Sequence, residues 1–116
     1  MTEYELVRDR FLRSHCQNAL GVEFILVLPL ARDNHLRTTV MTLDARFQHH
    51  LHSLFPELNV LGRYALLGTQ DADPHEPINL CIWVDIFNHT FDEIEEILRN
   101  DTYYVQNVTI GYHLFI

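Results

Sequence analysis

The clearest strand signal in this chain is the stretch INLCIWVDIF at residues 78–87. Every second position is aliphatic, whereas the positions between them carry mixed side chains, including Trp83 and Asp85. Because successive side chains of a strand point to opposite faces, this alternation predicts a strand with one aliphatic and one mixed face. We expect the aliphatic face to pack against helices.

Three further strands are predicted around this one. Residues 22–30 are almost wholly apolar, which is typical of a central strand covered on both faces. Residues 59–67 precede the polar segment 68–77, and the two strands on either side of that segment predict a long hairpin. Residues 105–115 alternate again and predict the last strand.

Three helices are predicted between the strands. Thr2 with Glu5, and Thr90 with Glu93, are capping-box patterns that each open a segment with apolar residues at helical spacing. The middle helix is predicted from the stripe Leu36, Val40, Leu43, Phe47, Leu51 and Leu54. Asp33 or Asn34 can cap that helix, and Pro56 ends it.

The predicted element order is α-β-α-β-β-α-β, which contains the β-α-β-β-α-β order of a ferredoxin-like unit. We therefore predict one α+β domain over residues 1–116, with an extra N-terminal helix within residues 1–20 and a ferredoxin-like antiparallel unit over 22–116. Such a unit covers one sheet face with helices and leaves the mixed face for a partner. A second copy packed sheet to sheet would enclose a cavity, which predicts a homodimer with a dimeric α+β barrel fold.

The composition excludes several classes of function. The 116 residues carry a net charge of −8, and all eight basic residues are Arg, so a lysine Schiff base is excluded. An acidic chain is a poor partner for nucleic acid, because phosphate contacts need a basic patch. Two cysteines, Cys16 and Cys81, are too few for a disulfide framework or a zinc quartet.

Missing motifs set further expectations. The acidic start and short apolar runs predict a cytoplasmic protein with no membrane segment. The sequence has no Gly-rich phosphate loop, no serine nucleophile elbow and no CxxC motif, so we expect no cofactor. The remaining partners that we expect are a second copy of the chain and a small-molecule ligand.

The mixed sheet face is one candidate site, and its polar or aromatic residues are Arg63, Cys81, Trp83, Asp85 and His113. Arg63 could hold an anionic substrate group, and Trp83 could stack on a ring. Asp85 and His113 could form an acid/base pair. The alternative is that these residues form ion pairs at an interface.

A second candidate is a His/Asp pair. His35 follows the first core strand and could act as a general base near neutral pH, and Asp101, after the last helix, could orient it. When each residue is considered alone, His35 is expected to be a solvated loop residue, and Asp101 is expected to be part of a helix end. His49 and His52 share a helix face, but two such ligands predict a solvent-exposed face rather than a metal site.

These motifs resemble those of YCII-related proteins in the dimeric α+β barrel superfamily. The resemblance covers roughly residues 22–115 and is carried by Arg32-x-x-His35-Leu36, by the strand ending at Gly68, and by DEIEEIL at 92–98 leading to NDTYY at 100–104. It implies that His35 and Asp101 form a proposed His/Asp pair.

The sequence also departs from that family. Thr102 stands where the family usually has Pro, the loop before residue 78 is longer, and the N-terminal helix is an addition. Relatives elsewhere in the superfamily, such as muconolactone-isomerase-like or polyketide-cyclase-like proteins, are therefore alternatives.

Two main functions follow from these residues. One is a small cofactor-independent lyase, isomerase or cyclase, in which His35 moves a proton on a cyclic or carbonyl metabolite, Asp101 orients it and Arg63 binds an anionic group. The other is a non-catalytic ligand-binding or accessory protein whose extra helix contacts a protein partner. A cavity packed with aromatic side chains would favour the second. A third, an acidic nucleic-acid mimic, is disfavoured because the charges are dispersed.

Overall fold

The protein, described here from a computed structural model, has defined structure over residues 1–14, 20–66, 76–103 and 108–115. Its elements are α1 Glu3–Arg13, β1 Leu20–Leu28, α2 Leu36–Leu54, β2 Asn59–Leu66, β3 Ile78–Ile86, α3 Phe91–Arg99 and β4 Thr109–Phe115. This order confirms the predicted α+β class. Cys16, Gly68, Tyr104 and most of the predicted 68–77 loop lie outside the described residues.

The four strands form one sheet in the order β2-β3-β1-β4, and every neighbouring pair is antiparallel. β1 and β3 lie at the centre, with Val22 opposite Val84 and Glu23 opposite Trp83. β1 also pairs with β4, which places His113 on the other side of Glu23. The apolar run predicted as a strand at 22–30 is therefore a central strand, as its composition indicated, but β1 begins at Leu20 and ends at Leu28, before Pro29.

The aliphatic face of β3 forms the main core together with α2 and α3. Ile78, Ile82 and Val84 are fully buried there, against Leu51 of α2 and Ile94 of α3. The prediction that this face meets the helices is confirmed. Burial of these side chains is the largest stabilising contribution to the domain, since apolar burial dominates folding free energy.

The helix ends follow from local hydrogen bonds. Both predicted capping boxes are present, at Thr2 with Glu5 and at Thr90 with Glu93. α2 begins at Leu36 with His35 at its N-cap position and no side-chain cap, so the prediction that Asp33 or Asn34 caps this helix is wrong. The carboxylate of Asp33 instead accepts the backbone N–H of His35 at 2.8 Å, one residue before the helix. The two capping boxes satisfy backbone donors that the first turn of a helix leaves without partners.

α1 packs on the other face of the sheet. Its side chains Tyr4, Val7, Phe11 and Leu12 cluster with Trp83, Cys81, Tyr64 and Leu66 of β3 and β2. The mixed face, which the sequence analysis left open for a second copy, is thus covered over β2 and β3 by a helix of the same chain. The approach is close, because a Cβ added at Gly62 would lie 2.9 Å from the ring of Phe11.

Candidate functional site

A histidine–carboxylate pair joins α2 to the segment that follows α3. Nε2 of His50 lies 2.8 Å from Oδ2 of Asp101, and the two side chains are only 17 % and 21 % exposed. Oδ1 of Asp101 also accepts the backbone N–H of Tyr103 at 3.3 Å. The carboxylate is therefore held from both oxygens, as in a turn in which an Asp side chain binds the backbone two residues ahead.

The imidazole of His50 is also held by stacking. The ring of Tyr103 lies parallel to it, with centroids 4.0 Å apart and an interplanar angle of 16°. Phe47, one turn earlier in α2, contacts both rings at 6.4 and 5.9 Å between centroids. A stacked ring with one nitrogen hydrogen-bonded has little freedom to rotate, so its second nitrogen has a defined direction.

A groove of about 570 Å³ opens to solvent beside this pair. Its walls are Ala45, Arg46, His49, His50, Ser53 and Tyr103. Three cationic or ionisable side chains of α2 therefore border the groove, and Arg46 lies three and four residues before His49 and His50. The hydroxyl of Ser53 donates to the carbonyl of His50 at 2.6 Å and so helps to hold the backbone there.

A second cavity of about 140 Å³ lies deeper, between the helices and the sheet. Its walls are Phe24, Phe47, Leu51, Leu98, Asp101, Tyr103, Ile110 and Tyr112. Tyr103 borders both the groove and this inner cavity, and Asp101 pairs with His50 in the groove wall. The His50–Asp101 pair therefore lies between the groove and the inner cavity, with His50 in the wall of the first and Asp101 in the wall of the second.

This arrangement can perform acid/base chemistry. In the neutral imidazole tautomer that donates its Nε2–H to Asp101, Nδ1 is the atom that can accept a proton. The carboxylate then holds the ring orientation and stabilises the cation that forms, as the acidic member of a catalytic triad does.

The structure places His35 away from Asp101. His35 is an exposed residue at the N-cap position of α2, and it precedes His50 by fifteen residues. At 1.5 Å per residue this corresponds to about 22 Å along the helix. Asp101 is thus in contact with His50, and His35 belongs to the opposite end of α2. The segment 49–52, expected to face solvent, contains this half-buried histidine.

A buried carboxylate that the sequence analysis did not select lies on the face covered by α1. Glu23 of β1 is 1 % exposed and accepts hydrogen bonds from Nε1 of Trp83, at 2.7 Å, and from the phenol of Tyr4. The signal that could have identified it is an acidic residue inside the apolar run of a central strand, because such a residue requires buried donors.

The other predicted site residues of this face differ in their exposure to solvent. Cys81 and Asp85 are buried, at 1 % and 2 % exposed, and His113 is exposed. Burial raises the pKa of the Cys81 thiol to about 11. Such a thiol stays protonated near neutral pH, which argues against a reactive cysteine.

Arg63 lies on the opposite side of the sheet from Trp83. It sits across from Ile82, whose side chain faces α2, and its Nε is 3.3 Å from Oδ2 of Asp44 in that helix. Gln48 also donates to Asp44, at 2.8 Å. Arg63 therefore neutralises a largely buried carboxylate rather than pointing toward the mixed face.

Among the described residues, no group of three His, Cys, Asp or Glu side chains is placed to hold a metal ion. In the same part of the chain, no helix is both long and apolar enough to cross a membrane. Comparison with protein families, curated proteins and solved structures finds no match for this chain. The resemblance to YCII-related proteins therefore stays a prediction.

Proposed function

We propose that the protein is a small cofactor-independent lyase, isomerase or cyclase whose proton-transfer pair is His50 and Asp101. The observation that supports this most is the 2.8 Å contact of Asp101 with His50, whose side chain lies in the wall of a 570 Å³ groove. In this proposal His50, instead of His35, is the general base, and Asp101 is the carboxylate that orients it.

In this proposal a small carbonyl or cyclic metabolite enters the groove and places an acidic C–H bond near Nδ1 of His50. The imidazole removes the proton, and the electron pair of the C–H bond is delocalised into the neighbouring carbonyl group. The imidazolium then returns the proton to another atom of the same molecule. Asp101 stabilises the cation between the two steps, and the reaction needs no oxidant and no second substrate.

The finer fold assignment belongs to the same proposal. Read from its other edge, the sheet order is β4-β1-β3-β2. The two central strands are therefore β1 and β3, and the two edge strands are β4 and β2. Two interleaved β-α-β units with α2 and α3 on one face give this order, which supports a ferredoxin-like unit. A sheet-to-sheet homodimer would meet α1 on the mixed face. The dimer stays a prediction, which sedimentation in solution can measure.

The test is proton exchange, because it needs no knowledge of the natural substrate. The protein is incubated in D₂O with small oxo acids and lactones, and loss of the acidic C–H signal is followed by NMR. We expect exchange by the wild type and a decrease of about 10²- to 10⁴-fold in His50→Gln, the usual contribution of a general base. The Gln amide can still donate to Asp101, so the structural contact is retained.

His52→Gln is the matched control, because His52 is an exposed residue of the same helix and does not border the groove. Its exchange rate should equal that of the wild type. Equal rates in His50→Gln and wild type, or no exchange above the buffer rate with any probe, would overturn the proposal.

A second candidate function is a non-catalytic binding or accessory protein. It is favoured by the aromatic packing on the mixed face, where Phe11 stacks on Trp83 at 5.4 Å and Tyr4 stacks on it at 6.2 Å between centroids. Small-molecule binding without proton exchange in the experiment above would select this function.

A further inference from the structure

We infer that the groove and the inner cavity together form one site for a carboxylate that carries a single aromatic ring. This inference rests on the proposed function and names the class of ligand. It starts from the position of Tyr103, whose ring borders both spaces and stacks on His50. A ligand that spans the two spaces would pass directly beside the imidazole.

The inner cavity selects the ring. Its volume is about 140 Å³, and its wall combines the apolar side chains of Phe24, Phe47, Leu51, Leu98 and Ile110 with Asp101, Tyr103 and Tyr112. A cavity of about 150 Å³ lined by apolar side chains is known to hold one benzene molecule in another protein. A methyl group would leave most of this volume unfilled, whereas a single aromatic ring would occupy it.

The groove selects the anion. Arg46, His49 and His50 border it from one face of α2, in a chain whose net charge is −8. A guanidinium binds a carboxylate through two parallel hydrogen bonds, and a neighbouring imidazole can add a third. Arg46 and His49 therefore supply the donors for an anion, while Nδ1 of His50 keeps its lone pair for the proton that the proposed reaction removes.

The order of the two subsites defines the ligand class. The ring would lie in the inner cavity, the carboxylate would lie at Arg46, and the one or two carbon atoms that join them would lie beside His50. Arylalkanoates and aryl-substituted 2-oxo acids have this arrangement. Their acidic C–H bond lies between the ring and the carboxylate, which is the position that the proposed function requires.

The experiment measures dissociation constants for phenylacetate, acetate and benzyl alcohol by NMR titration of the full chain. We expect phenylacetate to bind at least tenfold more tightly than either of the other two. Arg46→Gln should abolish the preference over benzyl alcohol. Leu98→Phe, which fills the cavity from a half-buried position, should abolish the preference over acetate. Arg37→Gln, an exposed arginine of α2 outside the groove, is the control and should change neither ratio.

Equal affinities of the wild type for the three probes would overturn the inference, as would an unchanged phenylacetate preference in both Arg46→Gln and Leu98→Phe. The fold of each variant is checked by its NMR spectrum, and Ile110→Phe replaces Leu98→Phe if that variant unfolds. Phenylacetate preference without proton exchange would leave the ligand class standing and overturn the proposed function. Proton exchange of non-aromatic oxo acids without a preference for phenylacetate would support the proposed function and overturn the ligand class.

Discussion

Tyr4 donates its phenolic hydrogen bond to the carboxylate of Glu23, and this contact ties α1 to the centre of the sheet. Glu23 is 1 % exposed and also accepts from the indole of Trp83 at 2.7 Å. A buried carboxylate without hydrogen-bond donors is costly in free energy. The two donors therefore allow α1 to pack over this face of the sheet with Glu23 buried beneath it. The covering helix is thus held by a polar contact within an aromatic cluster.

Removing the donor should therefore weaken the fold. Tyr4→Phe keeps the ring that packs against Trp83 but leaves Glu23 with one donor fewer. We expect a loss of about 1–3 kcal/mol in the free energy of unfolding, measured by urea titration. Leu6→Ala, at a 53 % exposed position of the same helix, is the control and should change stability by less than about 0.5 kcal/mol. Equal stability of Tyr4→Phe and wild type would contradict the role of this contact.

Stability should fall at alkaline pH. Burial and the hydrogen bond to Glu23 raise the pKa of Tyr4, and burial raises that of Cys81 to about 11 from its usual 9.0. A group with a raised folded-state pKa contributes its full stabilisation below its unfolded pKa and loses it as pH rises through the folded value. The Cys81 contribution should therefore decline between pH 9 and 11, and that of Tyr4 above about pH 10.

The measurement is the urea midpoint at several pH values from 8 to 11. Wild type should show a steadily decreasing midpoint above pH 9. Cys81→Ser should show a shallower decrease between pH 9 and 10, since that variant lacks the titrating thiol. Parallel curves for the two proteins would contradict the assignment of this pH dependence to Cys81.

Gly62 allows α1 to approach the sheet. In Gly62→Ala the added Cβ would lie 2.9 Å from the ring of Phe11, which is itself stacked on Trp83 and cannot move freely. We expect a destabilisation of about 1–3 kcal/mol from overpacking. Gly111→Ala is the matched control on β4, because nothing lies within 4 Å of its added Cβ, and it should be neutral or slightly stabilising. Thermal unfolding of both variants distinguishes the two outcomes.

Arg63 should matter little for either stability or ligand binding. It is 54 % exposed and pairs with Asp44, which keeps its hydrogen bond from Gln48 when the arginine is removed. Arg63→Gln should cost less than about 1 kcal/mol, as is usual for an exposed ion pair. Its affinity for phenylacetate should match that of the wild type. A large loss of affinity would show that Arg63 binds an anionic group, as the sequence suggested.

Local pattern accounts for most of the secondary structure. The alternation at 78–87 predicted β3 within one residue of its bounds Ile78–Ile86, because side-chain direction in a strand depends on adjacent residues alone. The capping boxes at Thr2 and Thr90 marked two helix starts for a similar reason, since a cap involves residues within one turn.

The candidate site could be predicted only in part. Asp101 was selected as the acid, but its histidine lies 51 residues earlier and was read as part of an exposed segment. The sequence has four histidines from position 35 to position 52, and residue type alone does not distinguish which of them contacts Asp101. Which of them contacts Asp101 depends on where α3 ends relative to α2, and that position is set by packing on the sheet.

Residue order and periodicity alone were enough to establish the α+β class, the order of the elements and the aliphatic face of β3, because each depends on interactions between near neighbours in the chain. Packing in three dimensions was needed to place α1 on the mixed face, Arg63 beside Asp44, and His50 against Asp101. Those contacts join residues that are 19 to 79 positions apart. Their partners are selected by the shape and burial of the whole domain, which no local pattern encodes.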